Sequence, residues 1–264
     1  MPVREIVARH LAADYGGAAL SDYCESGDEF RFRLPARLVD PQAAAFQSRD
    51  EVLNELSISH GLSVSIGRRR YGLSDETALS MKSLESLARS ISFAPGCDLS
   101  MGFEAVTNRR GTVTAFRSTL VTKCGTSART TSAAFDILPP SLAKFLGRER
   151  QFSDCDDAQI TADQPGLSAV GEGHFRYCPS DRERVSNGRP LEHVPALTLI
   201  DLALIVQSQA CPGDAWRNVS AEFLNYTDPR RPFEIRANKG SGAVEFAQDG
   251  RPVAIVTLAI SEGS

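Results

Sequence analysis

HVPALTLIDLALIVQSQ, residues 193–209, is the stretch on which the architecture turns. Pro195 suits the first turn of a helix, where its missing N–H removes no bond. From Ala196 to Val206 apolar residues occupy nearly every helical angle, so no face is left for water. A helix that is apolar all round must be enclosed by protein or by lipid. The run is too short and too interrupted to span a bilayer, which needs about 20 apolar residues. An antiparallel sheet curled around the helix is the remaining enclosure. Asp201 is the only charge between Val194 and Val206, and Thr198, Asp201 and Ser208 fall close to one line along the helix.

Outward from this helix, strands are expected over 217–226, 233–237, 243–248 and 252–260, the last two joined by the hairpin pair Asp249-Gly250. The first half has a similar order. EFRFRL (29–34) alternates like a half-buried strand, and three β-rich runs follow at 91–107, 112–123 and 128–137. Residues 51–67 fit either period: Leu56, Ile58, His60, Leu62, Val64 and Ile66 alternate, while Glu51, Glu55, Ser59 and Ser63 form an i, i+4 stripe. The expected organisation is an N-terminal leader helix (1–24), a first repeat (25–148), an acidic linker (149–170) and a second repeat (171–264), with 171–192 irregular. The fold class this implies is α+β: a tandem double hotdog, each repeat a curved antiparallel sheet wrapped around a long central helix.

Composition narrows the function. Twenty-nine Lys and Arg against 33 Asp and Glu give a net charge of −4, which excludes the basic footprint of a nucleic-acid binder. The only dense basic run, Arg68–Arg70, is either a solvated helix end or a steering patch for an acidic partner. No apolar stretch reads as membrane-spanning and the N-terminus has no secretory core, so a cytoplasmic protein is expected. Cys24, Cys97, Cys124, Cys155, Cys178 and Cys211 are dispersed without a CxxC pair, which argues for reduced thiols and against zinc. No dinucleotide fingerprint and no GxSxG elbow occurs, so neither cofactor chemistry nor an acyl-enzyme is expected.

The stretch RPLEHVPALTLIDLALI (189–205), with its PLEHVP core followed by an acid six residues after the last proline, resembles the A-factor biosynthesis (AfsA-type) family of tandem hotdog proteins. FLNYTDPRRPFEI (223–235) and VEFAQDGRPVAIVTLAI (244–260) are similar to that family's closing strands, and ELSISHG (55–61) with Tyr71-Gly72 to its first-repeat segment. The resemblance tips 51–67 towards helix. It implies transfer of a β-ketoacyl group from an acyl carrier protein to the hydroxyl of dihydroxyacetone phosphate, in γ-butyrolactone or butenolide synthesis. By position it makes Glu55 and Asp201 the paired acids. Ile58 and Leu204 stand where the family pattern has arginine, and Ser59 and Ile205 where it has glutamine.

The expected chemistry is acyl-thioester processing with an acyl carrier protein or acyl-CoA donor. Backbone N–H groups near Pro195, Ala196 and Leu197 would face the carbonyl oxygen, Thr198 would line the channel, and Asp201 or Glu55 would act as general base. His193 either contacts substrate or caps the helix approach. Arg189 is either an anion contact or a surface residue, and His60 either a substrate contact or a core histidine. Dehydration or thioester hydrolysis is the alternative chemistry, and a non-catalytic acyl-binding protein the alternative class. Two fused repeats can pair within one chain, so a monomer or a homodimer is expected.

Overall fold

A computed structural model of the chain describes residues 21–26, 29–33, 49–74, 77–89, 98–124, 127–139, 166–179, 185–186, 189–190, 193–210 and 216–260. They fall into two compact units, one drawn from 1–140 with 215–219, the other from 141–214 with 220–260.

The first unit contains β1 (Ser21–Ser26), β2 (Glu29–Arg33), helix α1 (Arg49–Arg70), β3 (Leu79–Arg89), β4 (Asp98–Thr107), β5 (Val113–Cys124) and β6 (Ser127–Ile137). Its strands lie in the order β1-β2-β4-β5-β6-β3, every pair antiparallel. Period-two burial gives the sheet one apolar face, with Met101 and Phe103 on β4, Phe116 and Leu120 on β5, and Ala133 and Phe135 on β6. Helix α1 packs against β5 and β6. Its buried side chains, Val52, Leu56, Ser59, Leu62, Ser63 and Ile66, recur at helical spacing.

Two of those buried residues are serines, and the Ser63 hydroxyl is satisfied by two hydrogen bonds. Ser63 donates to the Ser59 carbonyl (2.6 Å) and accepts from the Ser118 hydroxyl of β5 (2.7 Å). A Cβ at Gly67 would lie 2.8 Å from the Phe116 ring, so glycine sets how closely helix and strand approach. Phe116 in turn stacks on Phe135, centroids 5.0 Å apart. The helix stops in a Schellman motif. Gly72 adopts φ 63°, and the Leu73 and Gly72 amides donate to the Arg68 and Arg69 carbonyls.

Tyr71, just past the helix, packs on Phe103 and Phe116. Burial raises its phenol pKa above the ordinary 10.0, outweighing the opposing hydrogen bond with Arg70. Because the folded value is the higher one, the linked stability is complete below the unfolded pKa and is lost as pH rises through the folded one. Tyr71→Phe is therefore expected to flatten the fall in stability above about pH 10. Circular dichroism during alkaline titration checks this, and a variant whose curve overlies the parent's would exonerate Tyr71.

The second unit contains β7 (Leu167–Gly171), β8 (His174–Tyr177), the short pair β9 (Val185–Ser186) and β10 (Arg189–Pro190), and helix α2 (Ala196–Ala210). It continues with the part of β11 (Trp216–Phe223) from Ser220 onward, then β12 (Phe233–Ala237), β13 (Ala243–Gln248) and β14 (Arg251–Ile260). The sheet order is β11-β14-β13-β12-β8-β7. Helix α2 packs against β12 and β14. Residues 202–207 are all buried, more than one full helical turn, so at that level the helix is enclosed on every side. Asp249 (φ 52°) and Gly250 (φ 73°) both take left-handed conformations, the type I′ turn that fits a two-residue hairpin between β13 and β14.

Several sequence expectations need correction. Of the leader helix expected over 1–24, residues 1–20 lie outside the described residues, and 21–24 belong to strand β1. The expected linker ends early, because 167–170 already form β7, and the region expected to be irregular (171–192) contains β8, β9 and β10. Strand β3 was not anticipated at all. Residues 141–148, whose sequence SLAKFLGR reads as a short helical segment, lie outside the described residues. No helix among the described residues is long and apolar enough to cross a membrane.

Candidate functional site

Helix α2 carries a single charge, Asp201. Leu197, Thr198 and Asp201 are half-buried and Ser208 is exposed, while Ile200, Leu202 and Ala203 are buried. Leu197, Thr198 and Asp201 lie within one angular sector of the first two turns, which is partly accessible, and from Leu202 to Gln207 the helix is enclosed again. Asp201 sits in this sector with Oδ1 shut away from solvent. Its helical neighbours at i+3 and i+4, Leu204 and Ile205, are buried and apolar. A carboxylate so placed is poorly solvated, the environment in which a carboxylate works as a base.

The start of α2 is anchored from the β11–β12 connection. The Val194 amide donates to the Thr227 hydroxyl (3.1 Å), and that hydroxyl donates to the Val194 carbonyl (3.4 Å). Pro195 precedes the helix rather than sitting in its first turn, and its carbonyl accepts from Thr198 N (3.0 Å) and Leu199 N (3.3 Å). The Ala196 and Leu197 amides have no acceptor among the described residues. These two N–H groups carry the positive end of the helix dipole, one turn from Asp201.

Behind Thr227 the same connection is held by a buried polar knot. Asp228 accepts from Arg230 N (3.0 Å) and Arg230 Nε (2.8 Å), and its own amide donates to Gln248 Oε1 (2.8 Å). Gln248 Nε2 donates to the carbonyls of Asp228 (2.8 Å) and Arg231 (3.1 Å). One side chain from β13 thus satisfies three backbone groups of the connection that fixes the helix start. Gln248→Ala leaves those groups without it and is expected to cost about 2–3 kcal/mol. Urea denaturation together with hydrogen exchange at the Asp228 amide measures this, and unchanged protection there would contradict the assignment.

The other expected site residues are scattered. His193 is exposed, its ring 5.5 Å from Tyr226, so it flanks the helix approach. His60 is half-buried in the first unit, its ring 6.0 Å from Phe135. Glu55 lies on α1 and Arg189 on β10, but their side chains are outside the described residues. Arg68 is committed to the turn after α1, donating to the carbonyls of Ser74 and Thr77 (the latter at 2.7 Å), and Arg70 lies over Tyr71. Sequence reasoning missed Thr227, Asp228 and Gln248, whose partnerships join residues 20 or more positions apart.

No protein-family model matches this chain, and no curated protein matches it either. Solved structures do. A protein assigned as an oleoyl thioesterase of Lactobacillus plantarum aligns over 87% of this chain and 94% of its own, with a TM-score of 0.50 and 10% identity. An acyl-ACP thioesterase of Bacteroides thetaiotaomicron aligns over 88% and 97%, with a TM-score of 0.46 and 13% identity. A conserved protein of unknown function with hot dog fold from Alicyclobacillus acidocaldarius aligns over 91% and 96%, with a TM-score of 0.40 and 15% identity. The Lactobacillus protein shares the fold of this chain: antiparallel sheet carrying few helices. At such identities the likeness extends no further than fold.

Proposed function

We propose that the protein is an acyl-thioester-processing enzyme of tandem hotdog architecture, and that Asp201 is its general base. The observation that carries the reading is the single charge of an apolar helix, half-buried on its partly accessible first turns. A thioester carbonyl set against the Ala196 and Leu197 amides would have its developing negative charge stabilised by the helix terminus. Asp201 takes a proton from the attacking hydroxyl as its oxygen bonds to the carbonyl carbon. The C–S bond then breaks, and the departing thiolate recovers that proton. The step needs no cofactor. Apolar side chains of the helix supply the surface for the acyl chain, and the donor is an acyl-CoA or acyl carrier protein thioester.

The attacking group sets the reaction class. Water gives hydrolysis, and a hydroxylated acceptor gives the acyl transfer that the PLEHVP stretch suggests. Leu204, where the AfsA-type pattern has arginine, is only 1% exposed, so no cation stands at that position to hold a phosphorylated acceptor. This favours water or a neutral alcohol over dihydroxyacetone phosphate. Released thiol, followed over a panel of acyl thioesters with and without glycerol or dihydroxyacetone phosphate, tests both points. Mass spectrometry of the products separates free acid from ester. Thiol release from none of the donors would overturn the enzymatic reading and leave an acyl-binding protein.

A further inference from the structure

A half-open cavity of about 240 Å³ lies in the second unit beside the β11–β12 connection and the β13–β14 turn. Its polar lining includes Asn225, Tyr226, Asp228, Arg231, Asp249 and Arg251. The carboxylates there are already engaged: Asp228 by Arg230 at 2.8 Å, and Asp249 by Arg231. The exposed Arg251 side chain makes no hydrogen bond or ion pair among the described residues. The lining itself holds two arginines and two acids, but Asp228 is neutralised by Arg230 from outside the lining and Asp249 by Arg231. The Arg251 guanidinium is thus left in excess, and the cavity selects an anion rather than a metal cation. Asn225 is occupied with the Pro252 carbonyl (2.7 Å) and Gln248 with the backbone, so the donors left for a ligand are chiefly those of Arg251 and the outer edge of Arg231.

The cavity also has a position relative to helix α2. Tyr226 forms part of its lining and packs against His193, three residues before the helix begins. From Val194 to Asp201 the rise is about 10 Å. Tyr226 and His193 thus stand between the cavity and the first amides of α2, the direction in which a ligand with its anionic end in the cavity would have to extend.

We propose that this cavity is an anion subsite for the phosphate of the phosphopantetheine arm that delivers the acyl group. The inference rests on the thioester reading for its ligand, and on the cavity and the unengaged Arg251 for its chemistry. Coenzyme A and a carrier protein present the same phosphate at the end of the same arm.

Calorimetric titration of the intact protein with 4′-phosphopantetheine and with phosphate-free pantetheine tests it. The phosphorylated compound is expected to bind about tenfold more tightly at low salt, and the preference to shrink at about 0.5 M salt. Arg251→Gln is expected to erase the preference and Arg251→Lys to keep part of it, whereas Asp201→Asn retains it in full. Parallel titrations with coenzyme A and with a phosphopantetheinylated carrier protein distinguish the two sources. An Arg251-dependent affinity for either supports the subsite. Equal affinity for the phosphorylated and phosphate-free arms, or a preference that survives Arg251→Gln, overturns it. The two readings fail separately: phosphate preference without turnover of any thioester sinks the enzymatic reading alone, and turnover without phosphate preference sinks the subsite alone.

Discussion

Asp201→Asn is expected to lower thioester turnover by about 10²–10⁴-fold, the usual worth of a positioned general base. The amide keeps the shape of the carboxylate and loses its ability to take a proton. The donor KM should change by less than about threefold, because the acid acts on the attacking group and contributes little to ground-state binding. Stability should change little, since the amide is isosteric and Asp201 is only half-buried. Steady-state thiol release and thermal unfolding of the same preparation check both halves. A variant that turns over normally but melts earlier would make Asp201 a structural residue.

Gly242→Ala is expected to destabilise the second unit by about 4 kcal/mol. Gly242 adopts φ 68°, where any side chain is strained, and an added Cβ would stand 2.1 Å from the Leu258 carbonyl oxygen. That oxygen belongs to the backbone of β14, tied in place by the Leu258 amide donating to the Gly242 carbonyl (3.0 Å), so it has no rotamer by which to withdraw. The expected loss combines conformational strain of about 1 kcal/mol with overpacking of about 3 kcal/mol. Gly250→Ala supplies the control: its φ is also positive, at 73°, but nothing lies within 4 Å of the added carbon. Urea denaturation should separate the two variants by about 3 kcal/mol. Equal losses would mean that the collision is relieved by backbone movement.

How much could be read from the sequence depended on how local the signal was. The β13–β14 hairpin was legible because Asp249-Gly250 states its turn in two adjacent residues. Helix α2 was legible because its apolar residues leave no face for water, and Asp201 because it breaks that pattern. Strand β3 was not. Its pairing with β6 slips between Met81 and Ser83, so the buried residues Met81, Leu84 and Ser86 do not keep one parity, and LSMKSLESLAR contains good helix formers. Helix α1 remained ambiguous because its buried face includes Ser59 and Ser63, which look solvent-facing in sequence; the carbonyl and hydroxyl that satisfy Ser63 come into view only in the fold. The knot of Asp228, Arg230 and Gln248 was out of reach for the same reason: its partners meet only through the register of β12 and β13.

The tight turn at Asp249 and Gly250 also sets an order of events in the second unit. Strands β13 and β14 meet across two intervening residues, and such hairpins form within about 1–10 μs. Strand β12 meets β8 only by bringing residue 236 back to residue 174, a closure with a far larger entropic cost. The β13–β14 hairpin is thus a natural nucleus. Strands β7 and β8 can meet as locally, across Glu172 and Gly173, but that pair joins the sheet only once β12 has been laid beside β13.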